Sequence, residues 1–282
     1  MIDMHIHSCY SDGQYKPAEI VEKLKEKNVK IFSLTDHDTY LGIGEAAKAA
    51  KENGILFIPG IELSTEHRGI NLHILGYNCD FKSEAFKKVH DKQNDLRTRQ
   101  KYKTIKYLND LGFELTLEEV EKFSNGENIG RPHFALAMID KGYISTVEEA
   151  FDKYLAGSEY KKIQLPKISS EFAIKSVKES GGIPVLAHPV QVKTSLQHFE
   201  PMLLELKSYG LMGMECQYSK NSPEQTRYFL NVAKKFNLIH TGGSDFHGEK
   251  VKPEIELATG INNSLEFTDY DYIKDIFLKK LS

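Results

Sequence analysis

Cysteine is scarce: 282 residues contain only Cys9, Cys79 and Cys216. They are odd in number and far apart, so no disulfide framework and no Cys-x-x-Cys zinc motif can be drawn, which suits a reducing cytoplasm. Long apolar runs are also lacking. Stretches such as 55–58 fall far short of the roughly 20 residues that span a bilayer. Met1-Ile2-Asp3-Met4-His5 has neither a basic region nor an apolar core, so no signal peptide is expected. Neither charge sign dominates, since 37 Lys and Arg against 40 Asp and Glu leave a formal net charge of −3. Tight, nonspecific duplex nucleic-acid binding therefore has no electrostatic basis, although a local basic groove for a small anion stays open. No Walker loop, GxGxxG fingerprint or GxSxG elbow is present, which removes support for nucleotide-driven and serine-nucleophile mechanisms. Repeats and low-complexity segments are absent. A chain 40% hydrophobic and 27% charged then reads as one large soluble α/β domain, perhaps carrying an inserted subdomain.

Short β-rich runs alternate with helical patterns at the start. Residues 2–6, 31–34, 55–58 and 72–77 read as strands, with helices at 17–27 and 44–53. This alternation implies a parallel sheet or barrel. From about Ser83 the texture turns rich in Lys, Glu, Gln and Arg at helical spacing, with helices expected at 85–109, 117–123, 132–141 and 147–155. The expected organisation is a barrel domain built from 1–82 and 161–282, with 83–160 as a helical insertion capping the substrate. Helix 170–180, capped by Ser169 or Ser170, resumes the α/β rhythm. Strands 183–187, 213–217 and 238–241 and helices 201–209, 223–236 and 270–278 follow. About seven core strands predict a distorted (β/α)7 TIM-like barrel, one strand short of the usual eight.

Nine potential metal ligands cluster where these strands run out: His5, His7, Asp12, His37, Glu62, His73, His188, Asp245 and His247. A barrel gathers the C-terminal ends of its strands on one face, so one polynuclear site is expected. His5 and His7 share a face of their strand. Asp3 falls on that face too, and could orient an imidazole through its second nitrogen. Cys9 reads as a packing residue rather than a ligand. Asp36 and Asp38 stand open between partners of a ligand, a helix cap and a solvated loop acid. Glu62 follows an apolar run and needs a metal or a buried cation as partner. His73 alone would be a satisfied core histidine. A His and carboxylate set without thiolate suits Mn²⁺, Fe²⁺ or Zn²⁺ and does not choose among them.

Three divalent cations on Asp12, Glu62 and Asp245 with neutral histidines leave a surplus of about three positive charges, at roughly −1 per carboxylate. Such a site attracts a phosphate dianion, with metal-bound hydroxide as nucleophile. Arg131 and His133 open a helix in the insertion and form a candidate substrate clamp, Arg131 offering a bidentate fork and the helix start its N–H groups. A surface salt bridge and a helix-start hydrogen bond are their plainer alternatives. Arg97, Arg99 and Lys101 could add a second basic edge to this clamp, although a solvated helix face suits most of them better.

The ordered motifs Asp3-Met4-His5-Ile6-His7-Ser8, Ser11-Asp12-Gly13, Thr35-Asp36-His37-Asp38, Gly60-Ile61-Glu62, His73, Ala187-His188-Pro189 and Ser244-Asp245-Phe246-His247 together resemble the PHP (polymerase and histidinol phosphatase) family of metal-dependent phosphoesterases. The likeness covers nearly the whole chain. Ile129-Gly130-Arg131-Pro132-His133-Phe134-Ala135, Glu149-Ala150-Phe151 with Tyr154-Leu155, and Gly181-Gly182 narrow it to a bacterial branch. That branch includes nucleoside 3′,5′-bisphosphate phosphatases, AMP-acting relatives and RNase AM. The resemblance implies two or three divalent ions, often Mn. One ion would take His5, His7 and Asp245, sharing Glu62 with a second ion that also takes His73 and His188. A third would take Asp12, His37 and His247, while Arg131 and His133 contact phosphate. The expected activity is cytoplasmic hydrolysis of nucleotide phosphate monoesters, foremost loss of the 3′-phosphate from a 3′,5′-bisphosphate. The alternatives are an AMP-type nucleotidase, a 5′→3′ exoribonuclease on short RNA, and a non-catalytic metal-stabilised interaction module. No membrane or stable duplex partner is expected.

Overall fold

Apolar residues recurring at period two make strands, and those recurring at three or four make helices that cover them. The computed structural model describes residues 1–124 and 129–277. Its strands are β1 (Ile2–Asp3), β2 (Ile31–Leu34), β3 (Leu56–His67), β4 (Ile70–Tyr77), β5 (Ile168–Ser169), β6 (Ile183–Leu186), β7 (Gly213–Tyr218) and β8 (Ile239–Gly243). The hydrogen-bonded order is β1-β2-β3-β4-β6-β7-β8, with β5 attached to β3. Seven strands thus follow one path that curls into a nearly closed barrel. At its seam Met4 N donates to Gly242 O at 3.0 Å, Asp245 N to His5 O at 2.8 Å and His7 N to Phe246 O at 3.0 Å. Gly243 permits this approach, because a Cβ there would lie 2.4 Å from that of His5. Buried Asp3 pins the seam, accepting from Ser244 N (2.9 Å), Ser244 Oγ (2.6 Å) and Ala258 N (2.9 Å).

The barrel departs from the all-parallel expectation at β4, which runs antiparallel to both β3 and β6. A tight turn at Arg68-Gly69, both with positive φ (+49° and +79°), reverses the chain directly. Strand β3 is also much longer than the expected 55–58. After pairing with β2 through Pro59 it continues as one arm of this hairpin. Reversal has a consequence for the site. The start of an antiparallel strand lies at the same barrel end as the finish of its parallel neighbours, so His73 joins the rim.

The helices are α1 (Pro17–Glu26), α2 (Ile43–Asn53), α3 (Glu84–Asp110), α4 (Leu117–Glu121), α5 (Arg131–Asp140), α6 (Val147–Ala150), α7 (Ser158–Ile163), α8 (Ser170–Glu179), α9 (Leu196–Tyr209), α10 (Pro223–Lys235) and α11 (Tyr270–Phe277). A π-helical turn, Phe151–Leu155, extends α6. Ser169 caps α8, its side chain accepting from Phe172 N. Helix α9 starts earlier than position 201, with Pro201 inside it. The last helix was expected to reach Leu278, which lies outside the described residues. No described helix is long and apolar enough to cross a membrane.

Apolar packing divides into layers. Ile20, Val21 and Leu24 of α1 and Ala46 and Ala50 of α2 pack on Phe32 and Leu34 of β2. Leu203 and Leu206 of α9 and Val232 of α10 cover the far side of the barrel. Each buried Val, Leu, Ile or Phe side chain among these contributes about 1.5–3 kcal/mol. The inserted helices hold their own core around Leu108, Phe134, Met138, Leu155 and Tyr160. Helix α3 bridges the two bodies: Phe86 and Val89 pack on the barrel side and Leu108 in the inserted core. Its middle turns therefore cross the barrel mouth.

Candidate metal centre

All nine residues singled out at strand ends come together at that mouth. Glu62 stands at the centre. Its Oε1 lies 2.8 Å from His73 Nδ1 and 2.9 Å from His188 Nε2. Its Oε2 lies 3.2 Å from His5 Nε2, 3.2 Å from His7 Nε2 and 3.0 Å from His37 Nδ1. Asp245 Oδ1 approaches His7 Nε2 at 3.3 Å and His5 Nε2 at 3.7 Å. Asp12 Oδ1 approaches His247 Nε2 at 3.3 Å.

Three donor groups emerge, each with its ligand atoms within 4.8 Å of one another: His5, His7, Glu62 and Asp245; His7, Asp12, His37 and His247; and His37, Glu62 and His73. The division differs in detail from that implied by the resemblance. His7 and His37 each serve two groups. His188 touches Glu62 without completing a group of its own.

The donor set fits divalent cations on two observations. Glu62 Oε2 and His7 Nδ1 are buried and make no hydrogen bond, although imidazole nitrogens surround the carboxylate oxygen. His5 Nε2 faces His7 Nε2 at 3.1 Å, an approach that two lone pairs resist unless a proton or a cation lies between them.

Burial opposes ionisation of Glu62, yet His37, His5 and His73 hold its carboxyl well below the usual range. Asp12 is likewise held low against burial by His247 and His37. Asp245 is held low against burial by Lys252 and His247. Burial also works against protonation of His5 and His7, but neighbouring carboxylates outweigh it. Glu215 and Glu62 raise His5, and Asp245 and Glu62 raise His7 to about 9. Burial pushes His37 well down and His73 down to about 4. Three carboxylates stay ionised inside a cluster of imidazoles, as metal ligation requires of them, while His5 and His7 would release their extra protons on binding a cation.

The second oxygen of Asp245 is already occupied. Tyr218 Oη donates to Oδ2 at 2.9 Å and Lys252 Nζ at 2.8 Å, leaving Oδ1 to face the histidines. Asp36 turns away from the cluster to accept from Ser8 N, Ser8 Oγ and Ser11 Oγ at 2.6–2.7 Å.

Helix α5 opens beside the cluster, with Gly130 next to Asp12. Arg131 Nη1 donates to Leu155 O at 3.2 Å, and its guanidinium lies 5.1 Å from the Phe151 ring centre. Gly130 N donates to His133 Nδ1 at 2.9 Å. The acceptor nitrogen carries no proton, so neutral His133 holds its proton on Nε2. Burial pushes His133 down to about 4, keeping it neutral. Arg97 does not share the solvated helix face expected for most of its segment. Its Nε donates to Asp38 Oδ2 at 2.7 Å, and Gln93 from the same helix also binds Asp38. Arg99 fits the solvated description, pairing with Asp95 one turn away. Asp38 is thus a buried anchor for α3, receiving Ser64 N at 2.8 Å as well.

Comparison with known proteins settles the family. The PHP domain profile matches residues 3–171, more than half of the chain. The chain belongs to the PHP family. A 5′-3′ exoribonuclease from Haemophilus influenzae is 31% identical, covering 87% of this chain and 89% of the relative. A 3′,5′-nucleoside bisphosphate phosphatase from Chromobacterium violaceum is 30% identical, covering 87% of each. Among solved structures, a proposed metal-dependent phosphoesterase from Bifidobacterium adolescentis superposes with a TM-score of 0.86 at 28% identity, covering 99% of this chain and 96% of that one. This PHP protein is a metal-dependent phosphoesterase, a hydrolase.

Besides Tyr218 and Lys252 on Asp245, Lys167 and Glu215 of this PHP centre escaped the sequence reading. Lys167 lies within electrostatic reach of Glu62, Asp38, Arg97 and Arg131, and burial together with the two arginines pushes its ammonium down to about 8. A single lysine after Pro166 carries no motif. Glu215 holds the His5 ring, accepting from Nδ1 at 3.0 Å, the role that Asp3 had been expected to fill. From His5, Asp3 accepts only the backbone N–H, at 3.2 Å, its other bonds going to Ser244 and Ala258. The pleat alone does not say which acid lies across the barrel from an imidazole.

Proposed function

We propose that this chain removes the 3′-phosphate from nucleoside 3′,5′-bisphosphates. The observation that supports the reading is a group of cations beside the donor cluster: Lys167 lies within electrostatic reach of Glu62 and of Arg131 and Arg97, the latter already paired with Asp38. A substrate with two phosphates would place one at the metal cluster and the other beside Lys167 and Arg131. His5, His7, Asp12, His37, Glu62, His73, His188, Asp245 and His247 would hold two or three divalent ions (Mn, Fe or Zn). When bound, such ions supply Lewis acidity toward phosphoryl oxygens and make water a stronger nucleophile.

The chain's own residues orient the ester. The guanidinium of Arg131, held at Leu155 O and over Phe151, presents its remaining N–H groups as a fork to phosphate. His133 donates its Nε2 proton to a phosphoryl oxygen. Lys167 adds charge at the second phosphate. The inserted segment 83–160 acts as the substrate cap, because α3 and α5 carry Arg97, Arg131 and His133 over the mouth and exclude bulk water.

The test is a phosphate-release screen on Mn²⁺-loaded protein across nucleotide monophosphates and bisphosphates. Release of one phosphate from the bisphosphate, at a rate well above that from any monophosphate, is expected. No release from any of them refutes the reading. A second reading, 5′→3′ exoribonuclease action on short RNA, is favoured by the Haemophilus influenzae relative. A ladder of successively shorter products from labelled oligonucleotides would select it.

A further inference from the structure

Glu215 is a fully buried carboxylate on β7. Its neighbours Met214 and Cys216 pack outward with the helix layer, so the strand pleat turns Glu215 into the barrel. A bulge between Glu215 and Gln217 shifts the register against β8 at this position, a device that re-aims a side chain. Among the described residues no lysine or arginine pairs with it. Burying such a group is costly unless its lone pairs are met. Its donors are two: His5 Nδ1 to Oε1 at 3.0 Å, and the backbone N–H of His188 to Oε2 at 2.7 Å.

Each contact fixes a different histidine. A ring that donates from Nδ1 keeps its lone pair on Nε2, and His5 Nε2 is the atom facing Glu62, His7 and Asp245. His188 has φ +26° and ψ 66°, a left-handed conformation that non-glycine residues rarely adopt, and it precedes Pro189, which restricts it further. The charge-assisted bond from its N–H holds this backbone in place. Its Nε2 then reaches Glu62 Oε1 at 2.9 Å.

We infer that Glu215 is a positioning residue that couples two parts of the metal centre, setting the ring tautomer of His5 and the strained backbone of His188 through its two oxygens. This rests on the metal-centre reading of the cluster. A carboxylate accepts at both oxygens, whereas an amide accepts at only one. Glu215→Gln therefore cannot serve both donors, although its size is nearly unchanged.

The experiment loads the full chain with Co²⁺ and records its visible d–d spectrum, with affinity from chelator competition and folding from far-UV circular dichroism. Glu215→Gln is expected to change the cobalt spectrum and weaken binding by about 10–100-fold, the usual cost of losing a carboxylate that orients a ligand histidine, with dichroism unchanged. An unchanged spectrum and affinity would overturn the inference while leaving the metal centre standing. Wild-type protein that takes up no cobalt would overturn both. Should Glu215→Gln fail to fold, Glu215→Asp keeps two acceptor oxygens on a shorter stem. A shifted cobalt spectrum in that folded variant supports the coupling, and an identical one refutes it.

Discussion

Removing divalent ions exposes the proton balance of the imidazole cluster, and its sign follows from the site. In the metal-free fold His7 keeps its proton up to about 9, and His5 is raised as well. Unfolded histidines titrate near 6.5. A raised pKa contributes stability that is complete below the unfolded value and is lost as pH climbs toward the folded one. Between pH 7 and 8 the fold retains protons on His5 and His7 that the unfolded chain has largely released, each worth on the order of 1 kcal/mol per pH unit. Residual protonation of the unfolded histidines, together with the onset of Lys167 deprotonation near 8, offsets part of this and leaves a net loss on the order of 1 kcal/mol. Urea unfolding in excess chelator should therefore show lower stability at pH 8 than at pH 7. Below pH 6.5 the slope reverses, because His37, His73, His133 and His247 are held neutral in the fold and bind protons on unfolding. Stability that is flat or rising from pH 7 to 8 would refute the assigned charge states.

Glu62→Gln removes the carboxylate that every donor histidine except His247 approaches, and should lower bound metal, counted by elemental analysis, together with turnover by at least about 10²-fold; full metal content would contradict its central place. Arg131→Lys exchanges a planar fork for a point charge, and kcat/KM should fall about 10–100-fold, from roughly 1.5–3 kcal/mol of charged hydrogen bonding. An unchanged value would remove Arg131 from the phosphate seat. Lys167→Met should raise KM for a two-phosphate substrate more than for a one-phosphate substrate; an equal effect on both would mean that Lys167 does not face the second phosphate.

Much of the barrel was legible because period-two and period-3.6 patterns alternate along the chain and Gly and Pro punctuate them. Direction was not. Residues 72–77 read as a strand, but the pleat is the same whichever way a strand runs, and the hairpin with β3 appears only once the chain turns at Arg68-Gly69. Glu62 looked like the residue after a strand for the same reason: the strand continues past it under a different partner.

The candidate site divides along the same line. Clustered His and Asp residues at the ends of apolar runs announce themselves, since few other arrangements place imidazoles and carboxylates together beside buried strands. Arg97, Lys167 and Glu215 carry no such local signature. Arg97 sits in a charged helix like many solvated ones, and only the passage of α3 across the barrel mouth buries it against Asp38.

Composition and motif order by themselves determined the class of this chain, an α/β barrel presenting a His and carboxylate cluster suited to divalent metal. Those features are local: the side-chain chemistry and its place along each strand. Which donors share a group, which carboxylate orients His5, and which cations stand beside the cluster were decided by tertiary structure alone. These are distances between residues far apart in the chain, from His5 to Glu215 and from Glu62 to Lys167, and only closure of the barrel brings them within reach.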